Sequence, residues 1–144
     1  MSYDPNAFVD LDALSQARAE LGTGFIRILS YFREDGHKSV LAIEQAMRTL
    51  NSAAMVLPAH TLKGEALQFG ARPLAELAEH IEVTARRCVE MHEQPTELLG
   101  DIVRQRPLFD ATLALFDRET GPPADRRPVF GRKVTSVVPG PRQG

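Results

Sequence analysis

The spacing of apolar residues constrains this chain most, because apolar side chains recur every three or four positions, as an amphipathic helix requires. Leu11, Leu14 and Leu21 lie at this spacing. Asp10 can cap the first turn of that helix, and Gly22 is a typical stop. Further helices are predicted over 23–36, 40–50, 72–88 and 96–116, and another helix precedes the fifth and ends at about residue 69. Pro107 should kink or split the last helix.

The helices define the expected fold class. The sequence contains no convincing strand before residue 120, and short loops between amphipathic helices favour antiparallel neighbours. We therefore predict an all-α, up-and-down four-helix bundle core with an extra short N-terminal helix, spanning residues 8–118.

The C-terminal segment has a different composition. Prolines and glycines interrupt residues 119–144, and most of the charged side chains there are basic. We predict a flexible, disordered tail, although Val134 to Val138 could form a short strand with a partner.

Composition limits the function classes. The 144 residues are 43% hydrophobic and 25% charged with a formal net charge of -2, which is typical of one soluble globular domain and does not indicate nucleic-acid binding. No apolar run approaches the roughly 18 residues of a membrane span, and the N-terminus lacks signal-peptide features, so we expect a cytoplasmic protein without membrane contact. The lone Cys88 cannot form an internal disulfide and is expected to pack in the core.

The segment around His60 is the most informative. On a helical wheel, one sector of about 80° must face the core. This sector contains Met55, Ala59, Leu62, Ala66 and Phe69. His60 lies about 160° from Leu62 and shares the outward half of the helix with Lys63, Gly64 and Leu67, so the imidazole is predicted to face solvent.

These outward residues suit phosphoryl chemistry. An imidazole titrates near pH 6.5, so a nitrogen lone pair is available to accept phosphoryl near neutral pH. Gly64, one turn beyond His60, removes a side chain that would keep another protein away, although glycine costs about 1 kcal/mol in a helix. Lys63 places a cation within reach of an anion bonded to the ring, and Leu67 and Ala71 extend an apolar strip.

The motif resembles the signature of histidine phosphotransfer (HPt) domains. The matching residues are Ala59-His60-Thr61-Leu62-Lys63-Gly64, Phe69-Gly70-Ala71, and Leu74, Leu77, Ala78 and Glu82. The resemblance covers about residues 8–118 in helix order and implies that His60 is the phosphorylated residue, with Lys63 supporting the phosphoryl group. Glu65 departs from the pattern, since many members carry a small residue there, and its carboxylate is expected to weaken docking to an acidic receiver pocket.

The resemblance also implies the partners. His60 would exchange phosphoryl with an aspartate of response-regulator receiver domains, relaying it between a hybrid sensor kinase and a downstream regulator. The receiver would supply Mg²⁺, so this monomeric phosphocarrier would bind no cofactor or metal of its own and would have no autonomous kinase activity. The docking surface is predicted to comprise Gly64, Leu67, Gln68 and Ala71.

Three alternatives remain. The chain could be a helical adaptor that binds receivers without being phosphorylated, or a metal-binding bundle, although the expected Glu-x-x-His pairs are hardly present. A dimeric phosphotransferase with a degenerate kinase fold would need an additional α/β domain. The other three histidines, His37, His80 and His92, are predicted to be surface residues without a function, and Glu76, Glu79, His80 and Glu82 are predicted to form a solvated face.

Overall fold

The computed structural model describes residues 8–120, which form five α-helices and no strand. The helices are α1 (Leu11–Leu21), α2 (Phe25–Arg48), α3 (Ser52–Gln68), α4 (Arg72–Glu90) and α5 (Leu99–Thr120), with short 3₁₀ turns at Gly22–Gly24 and Thr96–Leu98. This architecture confirms the predicted all-α bundle with a short N-terminal helix. Residues 121–144, which contain most of the predicted tail, lie outside the described residues, and α5 includes positions 119 and 120.

The N-terminal helix is anchored to the turn between α3 and α4. The Asp10 side chain caps α1, as predicted, by accepting hydrogen bonds from the Asp12 and Ala13 N–H groups at 3.0 and 3.2 Å. The Asp10 N–H donates to the Gly70 carbonyl at 2.8 Å. Gly70 has φ +75°, and a Cβ at this position would lie 2.9 Å from the Asp10 carbonyl oxygen. Glycine therefore permits both the backbone conformation and the close approach of α1.

The predicted break near Gly36 is wrong, because the second and third predicted helices form one helix, α2. Gly36 is buried within it, and a Cβ there would lie 2.5 Å from Phe109 Cε1. This glycine allows α2 to pack closely on α5 and does not end a helix. The helix predicted from residue 23 begins slightly later, because Thr23 lies in the 3₁₀ turn, and Gly24 precedes α2 without a side-chain cap.

Two prolines lie inside continuous helices. Asn51 caps α3 through its side-chain oxygen, which accepts from the Ala54 N–H at 3.1 Å, so the helix begins before Pro58. Pro107 does not split α5, which is continuous from Leu99 to Thr120. Leu99, the first residue of α5, has an exposed side chain.

Phenylalanine rings fill one half of the core. Five of them form a cluster with centroid separations of 5.5 to 5.8 Å, namely Phe25, Phe32, Phe69, Phe109 and Phe116. The other half of the core consists mainly of aliphatic side chains from α2 to α5, and Cys88 is buried in α4, as expected.

The order of the helices around the core determines which faces stay open. α3 packs between α2 and α4, and α5 packs against both α2 and α4. α3 and α5 therefore lie at opposite corners of the bundle, and the outward face of α3 is not covered by another helix. Within residues 8–120, none of the helices is both long and apolar enough to span a membrane.

Candidate functional site

The inner and outer faces of α3 agree with the helical wheel. All five residues assigned to the inner sector have at most 1% of their surface exposed, including Met55, which precedes Pro58. The His60 side chain lies on the opposite face and is 57% exposed. The predicted orientation of the imidazole is therefore confirmed.

The open face of α3 surrounds His60 with small, apolar and uncharged polar residues. Gly64, Leu67 and Gln68 are exposed, as predicted, and a Cβ at Gly64 would meet nothing within 4 Å. Leu57, which was not among the predicted docking residues, is 71% exposed one turn before His60. Its position three residues from the histidine was the available signal.

One predicted member of this surface is placed elsewhere. Ala71 is fully buried in the turn between α3 and α4, where its N–H donates to the Ala66 carbonyl at 2.9 Å. The chain reverses direction at Gly70, so the helical wheel of α3 does not extend to this residue. The docking surface therefore does not include the Ala71 side chain.

Glu82 on α4 contacts both predicted site residues. Its Oε2 atom lies 3.0 Å from His60 Nδ1, and its Oε1 atom lies 3.0 Å from Lys63 Nζ. Arg86 donates two hydrogen bonds to Oε2 through Nε and Nη2, at 3.1 and 2.9 Å. One carboxylate therefore joins the histidine and two cations.

The assignment of Glu82 to a solvated face is wrong, because its side chain is only 6% exposed. Glu82 lies four residues after Ala78 and three before Ala85, both of which are buried on α4. This spacing places it on the inner face of the helix. The spacing was visible in the sequence, whereas its contact with His60 depends on how α3 and α4 pack.

The neighbouring cations keep Glu82 ionised. Burial raises the pKa of this carboxyl, but hydrogen bonds from Arg86, Lys63 and His60 outweigh the desolvation and lower its pKa to about 2. A carboxylate can only accept a hydrogen bond, so the proton between Glu82 and the imidazole belongs on His60 Nδ1. In the neutral ring, Nε2 then carries the lone pair.

Glu65 occupies the opposite flank of α3, towards α2. Its side chain is partly buried, and its Oε1 atom is buried without a hydrogen-bond donor among the described residues. Burial raises the pKa of Glu65 to about 7, and the carboxylate of Asp35 on α2 adds to the shift. Glu65 therefore exchanges its proton near neutral pH.

The other three histidines lie away from this arrangement. His37 and His92 are exposed, and His80 on α4 lies 3.3 Å from Asp101 Oδ2 on α5. Residues 8–120 contain no group of three or more side chains placed to hold a metal ion.

Comparison with known proteins identifies the class of protein. The family model of the Hpt domain matches residues 27–114, which is more than half of the chain. The chain therefore belongs to the Hpt domain family, the histidine phosphotransfer proteins of two-component phosphorelays, and the resemblance seen in the sequence is confirmed.

A solved structure shares the fold. The crystal structure of histidine-containing phosphotransfer protein B (HptB) from Pseudomonas aeruginosa PAO1 matches 78% of this chain and 93% of its own, with a TM-score of 0.67 and 23% sequence identity. No curated protein matches the sequence.

Proposed function

We propose that this protein is a phosphorelay intermediate that accepts a phosphoryl group on Nε2 of His60 and donates it onward, in exchange with aspartates of response-regulator receiver domains. One observation carries the proposal. An exposed imidazole on a rigid helix is held through Nδ1 by a buried carboxylate, which leaves Nε2 as the nitrogen that can accept a phosphoryl group. Phosphoryl transfer depends mainly on positioning and charge neutralisation, which this arrangement supplies.

The transfer step balances within the two proteins. The Nε2 lone pair attacks phosphorus of the receiver's aspartyl phosphate in line with the bond between phosphorus and the aspartate oxygen. The P–N bond forms, the P–O bond breaks, and the aspartate leaves as a carboxylate. The positive charge that develops on the ring is stabilised by Glu82 through the Nδ1–H group. The reverse step returns the phosphoryl group to another receiver.

Two cations beside the ring support the bound phosphoryl group. The Lys63 and Arg86 side chains both reach Glu82, which places them next to His60. A phosphoryl group on Nε2 would bring new negative charge to the surface beside these cations, on the ring edge away from Glu82, and the cations would offset part of it. We expect the receiver to supply Mg²⁺, so that this chain needs no bound cofactor.

The partner would dock on the open face of α3. Gly64 gives the receiver close access, while Leu57, Leu67 and Gln68 provide contact area around the imidazole. We propose that the protein acts in the cytoplasm as a monomer, receives phosphoryl from a hybrid sensor kinase and has no kinase activity of its own.

A phosphotransfer assay tests the proposal. A receiver domain carrying labelled phosphoryl is mixed with this chain and Mg²⁺, with His60→Ala as the comparison. We expect acid-labile, alkali-stable label on the natural chain and none on the variant. Receivers that bind tightly but never transfer label would contradict the proposal and favour the non-phosphorylated adaptor.

A further inference from the structure

The docking face has unlike charges on its two flanks. Towards α4, Lys63 and Arg86 are paired with the buried carboxylate of Glu82. Towards α2, the flank carries Glu65 with Asp35 beside it. Around α3, Lys63 lies about 60° from His60 on one side and Glu65 about 140° from it on the other, beyond Gln68, so a receiver centred on His60 has one of them on each flank.

The surroundings of Glu65 disfavour its charged form. The Oε1 atom is buried and receives no hydrogen bond from the described residues, so ionisation there leaves negative charge without a donor. Asp35 is the charged group that acts on it from α2, and it has the same sign as an ionised Glu65. On the α4 side, the nearest cations of α3 and α4 are held by Glu82.

A docked receiver would add to both the desolvation and the charge repulsion that disfavour an ionised Glu65. Covering the face around Gly64 removes water from the neighbouring flank, and desolvation favours the neutral carboxyl. The receiver also brings its own anionic aspartate towards His60, and like charges further disfavour an ionised Glu65. A protonated carboxyl, in contrast, can donate a hydrogen bond to a carbonyl oxygen of the partner.

We infer that receivers bind the form of this chain in which Glu65 is protonated, so that docking takes up a proton and is selective for partners without a cation at this edge. The inference rests on the proposed function for its partner. It also limits the expected repulsion between Glu65 and an acidic receiver, because the neutral side chain carries no charge. Since the free carboxyl has a pKa of about 7, proton uptake should occur at neutral pH and above.

The test is calorimetric binding of an unphosphorylated receiver domain between pH 6.5 and 8.5, in buffers that differ in ionisation enthalpy. The receiver is one that binds the natural chain. We expect proton uptake of up to about one per complex, and affinity that falls by up to about tenfold for each pH unit above 7. Glu65→Gln should bind without this uptake, while Glu76→Gln, which removes a carboxylate in the groove between α4 and α5, should keep it.

A second variant, at Asp35, tests the same proton exchange without replacing Glu65 itself. Asp35→Asn removes the like charge next to Glu65, so the pH dependence should shift to lower pH but remain. His60 is present in all these variants, and any proton that it exchanges cancels in the comparison. Proton release on docking, or equal uptake by the natural chain and Glu65→Gln, would overturn the inference.

The two proposals fail in different ways. Binding is measured without phosphoryl transfer, so the proton count does not depend on whether His60 is phosphorylated. A chain that never accepts label but takes up a proton through Glu65 would contradict only the phosphocarrier role. Normal phosphoryl transfer, together with equal proton uptake by the natural chain and Glu65→Gln, would contradict only the role of Glu65.

Discussion

At the scale of single residues, the site depends on which groups share the Glu82 carboxylate. His60, Lys63 and Arg86 all hydrogen bond or ion-pair with it, and their combined effect outweighs its burial. The same carboxylate therefore orients the nucleophile and holds the cations that would meet the phosphoryl group. Its charge, and not only its shape, should matter for transfer.

Glu82→Gln tests the role of this charge. The amide keeps the shape but stabilises an imidazolium less well, so the rate of transfer from a labelled receiver should fall by about tenfold, equivalent to about 1.4 kcal/mol. The measurement is single-turnover transfer at pH 7. Glu97→Gln is the matched control, because Glu97 also accepts a hydrogen bond from an arginine, Arg87, but lies away from the site. An unchanged rate in Glu82→Gln would show that orientation alone is sufficient.

The same carboxylate predicts a dependence of stability on pH. The pKa of Glu82 is about 2 in the folded chain, below the ordinary value of 4.5, so its stabilising contribution is complete above pH 4.5 and is lost as the pH falls towards 2. Urea unfolding should show a difference between the natural chain and Glu82→Gln at pH 6 that shrinks at pH 3. A constant difference would contradict this assignment.

Glu65 predicts the opposite dependence of stability on pH. Its pKa is raised to about 7, so the folded chain holds a proton that the unfolded chain releases between pH 4.5 and 7, and stability falls as the pH rises through that range. Glu65→Gln should therefore raise the urea midpoint at pH 8 and leave it nearly unchanged at pH 4.5. A variant that lowered the midpoint at pH 8 would show that the carboxylate has a stabilising partner.

At the scale of helices, α2 shows where local sequence signals stop being sufficient. Gly36→Ala improves helix propensity, but its Cβ would clash with the Phe109 ring, which is buried in the phenylalanine cluster. We expect a net loss of about 1–3 kcal/mol in the free energy of unfolding, measured with urea. Gly64→Ala is the control, since open space surrounds it and the change should stabilise α3 by about 0.5–1 kcal/mol. Stabilisation by both substitutions would mean that the ring can move freely.

The prediction of the elements succeeded where a signal is local and failed where it depends on packing. Local signals were sufficient to predict the Asp10 cap, the turn at Gly70 and the inner face of α3, because each of these features lies within one helix or turn. Gly36 resembles a helix stop unless Phe109, distant in sequence, is known to lie against it. Likewise, Glu82 was recognised as a matching position, but its burial and its contact with His60 come from the way α4 packs on α3.

At the scale of the whole molecule, the bundle separates two exposed helix faces. α3 and α5 occupy opposite corners, since each packs against α2 and α4. Each of them carries an exposed glycine with nothing within 4 Å of a Cβ, Gly64 on α3 and Gly100 on α5. The pair allows the same substitution to be compared on the two sides of one fold.

Gly64→Arg should block transfer to His60, because a long cationic side chain one turn away would hold the receiver off the imidazole. A clash of only about 1.4 kcal/mol already lowers affinity tenfold, so we expect at least a tenfold loss in transfer rate at limiting receiver concentration. Gly100→Arg should transfer normally, and both variants should keep the helical circular dichroism and have a urea midpoint no lower than that of the natural chain, because neither glycine has a close neighbour. Equal loss in both variants would indicate a general effect of added charge, whereas normal transfer by Gly64→Arg would place the receiver on another face of the bundle.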